Sequence, residues 1–441
     1  MSNKPKIIVL DDDPTGSQTV HSCLLLMHWD VDTLRTGLRD ESPIFFVLTN
    51  TRAMPPESAA AVTKEVCQNL KLALAAEGIT DFLIVSRSDS TLRGHYPIET
   101  DAIATELGPF DAHFLVPAFF EGGRITRDSI HYLIIDGIPT PVHETEFAKD
   151  SVFSYHHSYL PKYVEEKTQG RISAEAVERF LLTDIRADSL ERLLKLSGNK
   201  CAVVDGETQA DLNSFAVDVL TAVSQGKRFL FRSAASILTA LAAFPPQPIA
   251  AENMAKYVRQ GKPGAIIVGS HVKKTTQQLE ALLQVEGIVG IQVDVARLLD
   301  GENQSATLLN DILEKIRTAH NSGKTPVVYT SRQELTFKDV KTRLEFGVKV
   351  SSLLMDIVRG LPSDIGFLIG KGGITSNDVL STGLALTSAR LLGQILPGCS
   401  IVITNSDHPQ FANLPVVLFP GNVGDADALG TIYKRLTKNT K

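Results

Sequence analysis

A cluster of acidic residues directly follows an apolar run near the start of the chain. Residues 7–10 read IIVL and residues 11–16 read DDDPTG. An apolar run that ends in Asp, Pro, Thr and Gly is typical of a buried strand followed by a loop. Three adjacent carboxylates repel one another unless a cation, a hydrogen-bond donor or a shared proton offsets their charge. Because Thr15 and Gly16 let the backbone approach a ligand closely, we interpret this loop as a binding site rather than a solvated acidic turn.

Two more loops in the first half combine acidic, hydroxyl and arginine side chains after an apolar run. They read TNTR at residues 49–52 and SRSDSTLRG at residues 86–94. Arg52 and Arg93 can each form paired hydrogen bonds to a carboxylate or a phosphate. Ser90 and Thr91 can bind sugar hydroxyls. A purely structural pairing of Asp89 with Arg93 would also account for the last loop, but three such loops in one half favour a site for a polar, anionic small molecule.

Glycine-rich turns characterise the second half of the chain. Residues 370–375 read GKGGIT and residues 420–424 read PGNVG. Glycine lets backbone N–H groups point at an anion ahead of a helix, as phosphate-binding loops do. Neither the dinucleotide pattern G-x-G-x-x-G nor the Walker pattern G-x-x-x-x-G-K-[ST] is present. We therefore interpret the two turns as candidate phosphate sites, although each alone could be an ordinary tight turn.

The elements that position these loops alternate between strand-like and helix-like runs, which predicts an α/β fold with largely parallel sheets. The predicted strands are residues 7–10, 43–48, 82–85, 112–116, 201–204, 229–231, 265–268, 325–330, 365–369, 401–404 and 416–418. The predicted helices are residues 57–76 and 275–283, with a last helix after residue 424. Residues 131–142 predict a hairpin, and residues 150–170 read as irregular.

A proline cluster divides the chain. Residues 244–248 read FPPQP, and clustered prolines cannot continue a helix or a strand ladder. A chain of 441 residues also exceeds one ordinary core. We predict two domains, residues 1–244 and 249–441, each with a largely parallel sheet flanked by helices. Ligands of such sheets bind outside the carboxyl ends of the strands, where the polar loops are predicted to lie.

Composition and charge indicate which kinds of partner the protein binds and in which compartment it is found. The net charge of −6 argues against nucleic acid as the main partner, because phosphate backbones need a basic surface. The first six residues lack the apolar region of a signal peptide, and no apolar run is long enough to cross a bilayer. The cysteines form no C-x-x-C pair, which is typical of buried, reduced thiols: Cys23, Cys67, Cys201 and Cys399. We expect a cytoplasmic protein with neither a membrane nor a nucleic-acid partner.

Metal ligands are not assigned by the sequence. His156 and His157 are adjacent and point apart in an extended chain, so they make a poor metal pair. We interpret them as part of a lid or of the surface.

Two alternative interpretations stay open at this level. Asp11, Asp13 and Thr15 satisfy the D-x-D-x-T pattern of haloacid-dehalogenase-like phosphotransferases, with Asp11 as nucleophile and Asp13 as acid and base. That superfamily also expects a later Lys and an acidic magnesium loop, for which only GDAD at residues 424–427 is a candidate. A non-enzymatic sensor that binds such a small molecule without turning it over is the other alternative, although no DNA-binding element accompanies it.

Taken together, the motifs resemble those of the four-carbon acid sugar kinases, long known as a domain of unknown function, over almost the whole chain. The matching motifs are DDxTG at residues 12–16, DSTLRG at 89–94 with Glu99 downstream, PAF at 117–119, GR at 123–124, DGxP at 136–139, ETEFAxD at 144–150, GS at 269–270 with Thr275 and Gln278, and GGIT at 372–375.

The resemblance implies an ATP-dependent kinase that phosphorylates the terminal C4 hydroxyl of a four-carbon sugar acid such as D-threonate, D-erythronate or 3-oxo-tetronate. Residues 1–244 would bind the sugar acid and residues 249–441 the nucleotide, with the reaction in the interdomain cleft. The expected cofactors are ATP and Mg²⁺. The expected partner is the small sugar acid, and a homodimer is the default assembly.

Site residues are carried over from the same motifs. The candidate general base is Asp13, slightly preferred over Asp12, which is equally suited to hold Mg²⁺. The candidate substrate-binding residues are Asp12, Thr15, Arg52, Asp89, Ser90, Thr91, Arg93 and Gly94. The candidate nucleotide-binding residues are Ser270, Gly372, Gly373, Ile374, Thr375 and Gly421.

Overall fold

A computed structural model of the chain describes residues 5–270, 272–299, 302–332, 335–421 and 423–438. The chain divides into two compact units, Met1–Pro246 and Gln247–Lys441. Both units are built from strands and helices, so the predicted two-domain α/β class is confirmed.

The first unit alternates strands and helices for most of its length. Its strands are β1 (Lys6–Asp11), β2 (Leu24–Leu26), β3 (Ile44–Leu48), β4 (Phe82–Arg87), β5 (Ala112–Val116), β6 (Arg124–Arg127), β7 (Ile130–Ile135), β8 (Ile138–Pro141), β9 (Glu178–Phe180), β10 (Lys200–Val204) and β11 (Phe229–Ser233). Its α-helices are α1 (Val31–Arg39), α2 (Pro56–Glu77), α3 (Ile98–Leu107), α4 (Leu160–Lys167), α5 (Leu182–Ala187), α6 (Leu190–Lys195), α7 (Gln209–Ser224) and α8 (Ser236–Ala242).

Parallel pairing dominates the sheet of the first unit. Within residues 5–246 the strand order is β2-β3-β1-β4-β11-β5-β10-β9, and each neighbouring pair is parallel. Its central strands read as apolar runs because helices cover them, and Ile8, Val47 and Ile84 are all 0% exposed. β6, β7 and β8 form a separate antiparallel sheet that contains the predicted hairpin.

The second unit repeats this architecture with a mixed sheet. Its strands are β12 (Ala265–Val268), β13 (Ile288–Val293), β14 (Thr325–Thr330), β15 (Leu368–Lys371), β16 (Ser388–Leu396), β17 (Cys399–Thr404) and β18 (Pro415–Phe419). Its α-helices are α9 (Lys273–Leu282), α10 (Glu302–Asn321), α11 (Val340–Arg359), α12 (Gly373–Asp378) and α13 (Ala428–Thr437). Among the described residues of this unit the order is β13-β14-β12-β15-β18-β17-β16, parallel as far as β18 and antiparallel beyond it.

Three parts of the sequence prediction were wrong. Residues 150–170 are not irregular throughout, because α4 forms there and buries Leu160, Tyr163 and Val164 beneath its charged face. The strand predicted at residues 365–369 lies at Leu368–Lys371, so its last residue is a lysine. Five strands were missed because they are short or carry polar residues on one face: β2, β6, β9, β13 and β16.

The cysteines follow the expectation of buried thiols. The four cysteines are free and buried. Gly323, which follows α10, has a φ of 74°, a conformation typical of a helix-capping glycine. In the part of the chain that the structure describes, every helix is too short or too polar to cross a membrane.

Candidate functional site

The acidic and basic loops of the first unit lie along one edge of its sheet. β1 is the middle strand, and Asp11 pairs in register with Leu48 of β3 and with Arg87 of β4. Because the carboxyl ends of neighbouring parallel strands meet at one edge, the loops that follow these strands are adjacent. The predicted clustering of the three loops is therefore observed.

Arg52 and Asp12 form a two-pronged ion pair across two of these loops. Nε of Arg52 lies 3.0 Å from Oδ2 of Asp12, and Nη2 lies 2.5 Å from Oδ1. Ser88 Oγ donates to the same Oδ2 at 2.7 Å, and the Asp12 side chain is 1% exposed. Burial disfavours the charged form of Arg52, but Asp12 and the neighbouring carboxylates hold its pKa well above the ordinary value. Both oxygens of Asp12 are thus engaged by protein groups.

Asp13 is the more accessible of the two carboxylates. Its side chain is 21% exposed, and its Oδ1 accepts hydrogen bonds from the backbone N–H and the hydroxyl of Thr15. Its Oδ2 lies 3.4 Å from Nη1 of Arg52, a longer contact than Asp12 makes. Burial raises the pKa of Asp13, but Arg52, Arg87 and Thr15 outweigh it, so the pKa is lowered. Asp13 is therefore an ionised carboxylate with one loosely held oxygen.

Asp89 and Arg93 pair with each other. Nε of Arg93 lies 2.9 Å from Asp89 Oδ2, and Nη2 lies 3.3 Å from Oδ1. Arg93 also lies 3.5 Å from Asp150 Oδ2 and 4.9 Å from the centre of the Phe147 ring. Burial raises the pKa of Asp89, but Arg52 and Arg93 hold it well below its ordinary value. The structural pairing that the sequence allowed is present, so Arg93 is already neutralised by protein carboxylates.

The loop between β4 and α3 needs glycine at its end. Gly94 has a φ of 116°, and a Cβ there would lie 2.1 Å from Ser88 Oγ and 3.3 Å from Asp12 Oδ2. A larger residue would displace the hydroxyl that holds Asp12. Ser90 and Thr91 lie in the same loop, and the Thr91 N–H and hydroxyl donate to Asp89 Oδ2.

Arg232 supports this loop, and the sequence analysis gave it no role. Its Nη1 donates to the carbonyl of Asp89 at 3.0 Å, and its Nη2 donates to the carbonyl of Arg93 at 2.8 Å. His131 Nε2 lies 2.7 Å from the carbonyl of Ser90 on the same loop. A charge inside the apolar strand FLFRS was the available signal, because a buried arginine requires partners.

Asp11 is enclosed by protein. Its side chain is 0% exposed, and its Oδ1 lies 3.2 Å from Nη1 of Arg87. Gly16 approaches so closely that a Cβ there would lie 2.0 Å from the same oxygen. Burial, with help from Asp12 and Asp13 and against Arg87, raises the pKa of Asp11 to about 7. A nucleophile must reach its substrate, so this placement does not suit the haloacid-dehalogenase-like interpretation.

The glycine-rich loops of the second unit also gather at one sheet edge. β12, β15 and β18 are neighbouring parallel strands, and each is followed by one predicted loop. Gly372 has a φ of 114°, and a Cβ there would lie 3.1 Å from Cβ of Ser270. The N–H of Gly372 donates to the carbonyl of Phe419 at 2.8 Å, and the Thr275 hydroxyl donates to that of Gly421 at 3.3 Å. The predicted nucleotide-binding residues of these loops are thus neighbours.

The remaining predicted residues of this unit lie in the same region. Gly373 begins α12, which also contains Ile374 and Thr375. Ile374 is 70% exposed, whereas Thr375 is buried. Asn422, in the last glycine turn, lies outside the described residues.

A buried lysine, Lys371, lies beside these loops. The sequence analysis did not select it. Lys371 is 0% exposed, and its Nζ donates to the carbonyl of Pro420 at 2.6 Å. The Nζ also lies 3.9 Å from the centre of the Phe419 ring. Burial lowers the pKa of Lys371 to about 7, Cys399 raises it and Lys274 lowers it further. Its position between Gly370 and Gly372, inside the glycine-rich segment, was the available signal.

The described residues do not supply a protein-built metal site. No group of three or more His, Cys, Asp or Glu side chains among them is arranged to hold a metal ion. His156 is exposed and lies 2.9 Å from Glu166, in agreement with a surface position. A Mg²⁺ ion bound mainly by phosphates and water does not require such a group, so we assign no step to a protein-held metal.

Two family models match the two halves of the chain. The model described as a sugar-binding N-terminal domain matches residues 7–241, and the model described as a nucleotide-binding C-terminal domain matches residues 265–429. The fold, the acidic loops and the glycine-rich loops therefore define a two-domain sugar kinase. The chain belongs to the four-carbon acid sugar kinase family, as the resemblance of its motifs indicated.

Similar proteins agree with this assignment. A D-erythronate kinase from Heliobacterium modesticaldum is 24% identical over 98% of this chain and 96% of its own length. A D-threonate kinase from Bordetella bronchiseptica is 28% identical over 36% of this chain and 38% of its own. The crystal structure of a protein from Salmonella typhimurium LT2 shares the fold, with a TM-score of 0.72 and 18% identity over 99% of both chains. The chain is thus a sugar acid kinase, and the sensor interpretation is set aside.

Proposed function

We propose that this protein uses ATP to phosphorylate the terminal C4 hydroxyl of a four-carbon sugar acid, with D-erythronate, D-threonate and 3-oxo-tetronate as candidates. The observation that carries the proposal is the distribution of loops: carboxylates and arginines end the central strands of one unit, and glycine-rich turns end those of the other. The names of the similar kinases support the substrate class. We also retain the proposal of a homodimer.

Asp13 is the proposed general base for the C4 hydroxyl. It is ionised, more exposed than Asp12, and has one oxygen without a short hydrogen bond to Arg52. Its low pKa suits a base that accepts the proton late, when the transferring phosphoryl group has already made the hydroxyl acidic. Asp12 acts differently: it holds the Arg52 guanidinium in place beside Asp13.

The other predicted residues of the first unit would orient the substrate. Thr15, Ser90 and Thr91 offer hydroxyl or amide groups to the sugar hydroxyls. Arg52, Asp89 and Arg93 form a charged network that fixes the loop geometry. We assign Arg93 to the transferring phosphoryl group, whose higher negative charge can compete with Asp89 and Asp150 for the guanidinium.

The second unit would hold ATP through backbone groups. Ser270, Gly372, Gly373 and Thr375 supply amides and hydroxyls for the phosphates, and Gly421 lies on the neighbouring turn. The exposed Ile374 is available for an apolar contact with the base or ribose. Mg²⁺ would enter with ATP and neutralise phosphate charge.

The test is ADP formation with purified protein, ATP and Mg²⁺ against a panel of acids. The panel contains both four-carbon aldonates, the 3-oxo acid, a three-carbon and a five-carbon acid, and the matching uncharged four-carbon polyols. We expect ADP release with at least one four-carbon acid, and a product phosphorylated at C4 by ³¹P NMR. ADP release that is independent of every acid, or a preference for another chain length, would contradict the proposal.

A further inference from the structure

Arg124 differs from the other arginines near the sugar site. Arg52, Arg87 and Arg93 each lie within 4.0 Å of at least one carboxylate, and Arg232 donates to two backbone carbonyls. Among the described residues, no carboxylate oxygen lies within that distance of Arg124. Its guanidinium therefore carries a charge that the protein does not neutralise by direct contact.

The hydrogen bonds of Arg124 are also incomplete. Its Nη1 donates to the carbonyl of Gly122, and its buried Nε has no partner among the described residues, which is also true of Nε in Arg87 and Arg232. The guanidinium carbon lies 5.9 Å from the centre of the Phe119 ring. Burying a guanidinium without an anion or a full set of acceptors costs free energy. An anionic ligand that accepted from its free N–H groups would remove that cost.

The backbone of Arg124 is fixed beside the segment that follows β5, at the sheet edge that also carries the loop after β4. Its backbone N–H donates to the carbonyl of Phe119 at 2.8 Å, and its carbonyl accepts from the N–H of Phe119 at 3.0 Å. Gly122 gives the guanidinium its space, since a Cβ there would lie 2.2 Å from Nη1. Burial lowers the pKa of Arg124, Asp89 raises it and Arg93 lowers it further.

We propose that Arg124 is the residue that binds the carboxylate of the sugar acid. A guanidinium with unused N–H groups offers the planar, paired donors that a carboxylate accepts best. The arginines at residues 52 and 93 are less suited, because a substrate carboxylate would have to displace protein carboxylates from them. This inference rests on the proposed function, and it deepens it by separating the group that recognises the acid from the groups that act on the hydroxyl.

The test compares Arg124→Met with the unmodified protein on two substrates: the preferred four-carbon acid and the uncharged polyol of the same stereochemistry. We expect kcat/KM for the acid to fall about 10²-fold or more, because a buried partner of a charged group is lost. We expect kcat/KM for the polyol to change less than about threefold, because the polyol has no carboxylate to lose. Arg124→Lys, which keeps the charge without the planar fork, should recover only part of the loss.

The matched control is Arg127→Met at the other end of β6, where Arg127 is half exposed and pairs with Glu207. It should leave both substrates unchanged. Equal losses of acid and polyol activity in Arg124→Met would assign the side chain a structural role, and a rise confined to the KM for ATP would assign it to phosphate. Either result overturns the proposal.

Calorimetry separates this inference from the proposed function. If no four-carbon acid is turned over by the unmodified protein, the proposed function fails. Binding of a four-carbon acid that Arg124→Met weakens and Arg127→Met does not would then still support the role of Arg124. Equal binding to all three proteins would overturn it.

Discussion

At the scale of single residues, Asp12 and Asp13 are adjacent carboxylates with different hydrogen-bond partners. Arg52 and Ser88 engage both oxygens of Asp12, whereas Asp13 keeps one oxygen at a long 3.4 Å contact. The two residues have the same chemistry and adjacent positions. Their different exposure, 1% against 21%, follows from how the strand end turns into the loop.

Asp13→Asn should lower kcat by about 10²- to 10⁴-fold, because an amide cannot accept the proton of the hydroxyl. The KM for ATP should change little, since the substitution lies in the sugar-binding unit. Steady-state kinetics and a thermal melt of the variant measure both effects. Near-normal kcat in Asp13→Asn and in Asp12→Asn would make the acidic loop structural and leave Asp89 as the next candidate base.

Asp11 should make the stability of the protein depend on pH. Burial raises its pKa from 3.8 to about 7 in the folded state. Because the pKa of Asp11 is higher in the folded than in the unfolded state, protonated Asp11 contributes its full share to the free energy of unfolding below about pH 4. This contribution is lost as pH rises through about 7. Relative to the unmodified protein, Asp11→Asn should therefore gain unfolding free energy across this window, on the order of 4 kcal/mol in total. Urea unfolding at several pH values measures it, and a constant difference between the two proteins would contradict it.

Lys371 should couple ATP binding to pH. Burial lowers its pKa to about 7, so the free protein carries a neutral amine above that pH and an ammonium below it. Phosphates placed at the adjacent glycine turns would favour the ammonium, because a nearby opposite charge stabilises the charged form of an amine. Cys399 and Lys274 are the other titratable groups that act on Lys371. We expect the KM for ATP to rise as pH increases above about 7.

The comparison is Lys371→Met, which has no titrating group at this position. Its KM for ATP should be higher than that of the unmodified protein at pH 6 and should vary less with pH. A pH profile identical to that of the unmodified protein would show that Lys371 does not act on the nucleotide.

At the scale of elements, the turn between β15 and α12 should be sensitive to any side chain at Gly372. Its φ of 114° disfavours other residues, and a Cβ would meet Ser270 at 3.1 Å. Gly372→Ala should raise the KM for ATP about tenfold and leave the KM for the sugar acid unchanged.

Gly323→Ala is the matched control, because Gly323 has a φ of 74° but no heavy atom within 4 Å of the position that a Cβ would take. It should cost about 1 kcal/mol of stability without changing either KM. A change in acid KM in Gly372→Ala, or an unchanged ATP KM, would argue against a nucleotide site at this turn.

At the scale of the whole molecule, the proposed direct transfer from ATP to the acid requires both substrates to be bound together. Initial velocities measured at several concentrations of acid and ATP should therefore give intersecting lines, as a ternary complex does. The burial of Asp11 argues against a phosphorylated intermediate on that residue. Parallel lines, or ³²P retained on Asp11 after incubation with ATP alone, would contradict a mechanism through a ternary complex.

The sequence by itself determined the fold class, most strands and the three polar loops, because these depend on local information. Apolar runs mark buried strands, and Asp, Thr, Gly and Arg after them mark loops at sheet edges. The motif DSTLRG and the glycine turns also identified the family, since the order of several motifs survives where overall identity is 24%.

Only the tertiary structure decided which charges are neutralised and which are not. The sequence assigned Arg52 and Arg93 to the sugar site and gave Arg124 only as part of a family motif. In the structure their surroundings differ: Arg52 lies 2.5 Å from Asp12 and Arg93 lies 2.9 Å from Asp89, whereas Arg124 has no carboxylate within 4.0 Å among the described residues. Such pairings join residues far apart in the chain or depend on how a loop turns, and no local pattern encodes a distance between side chains.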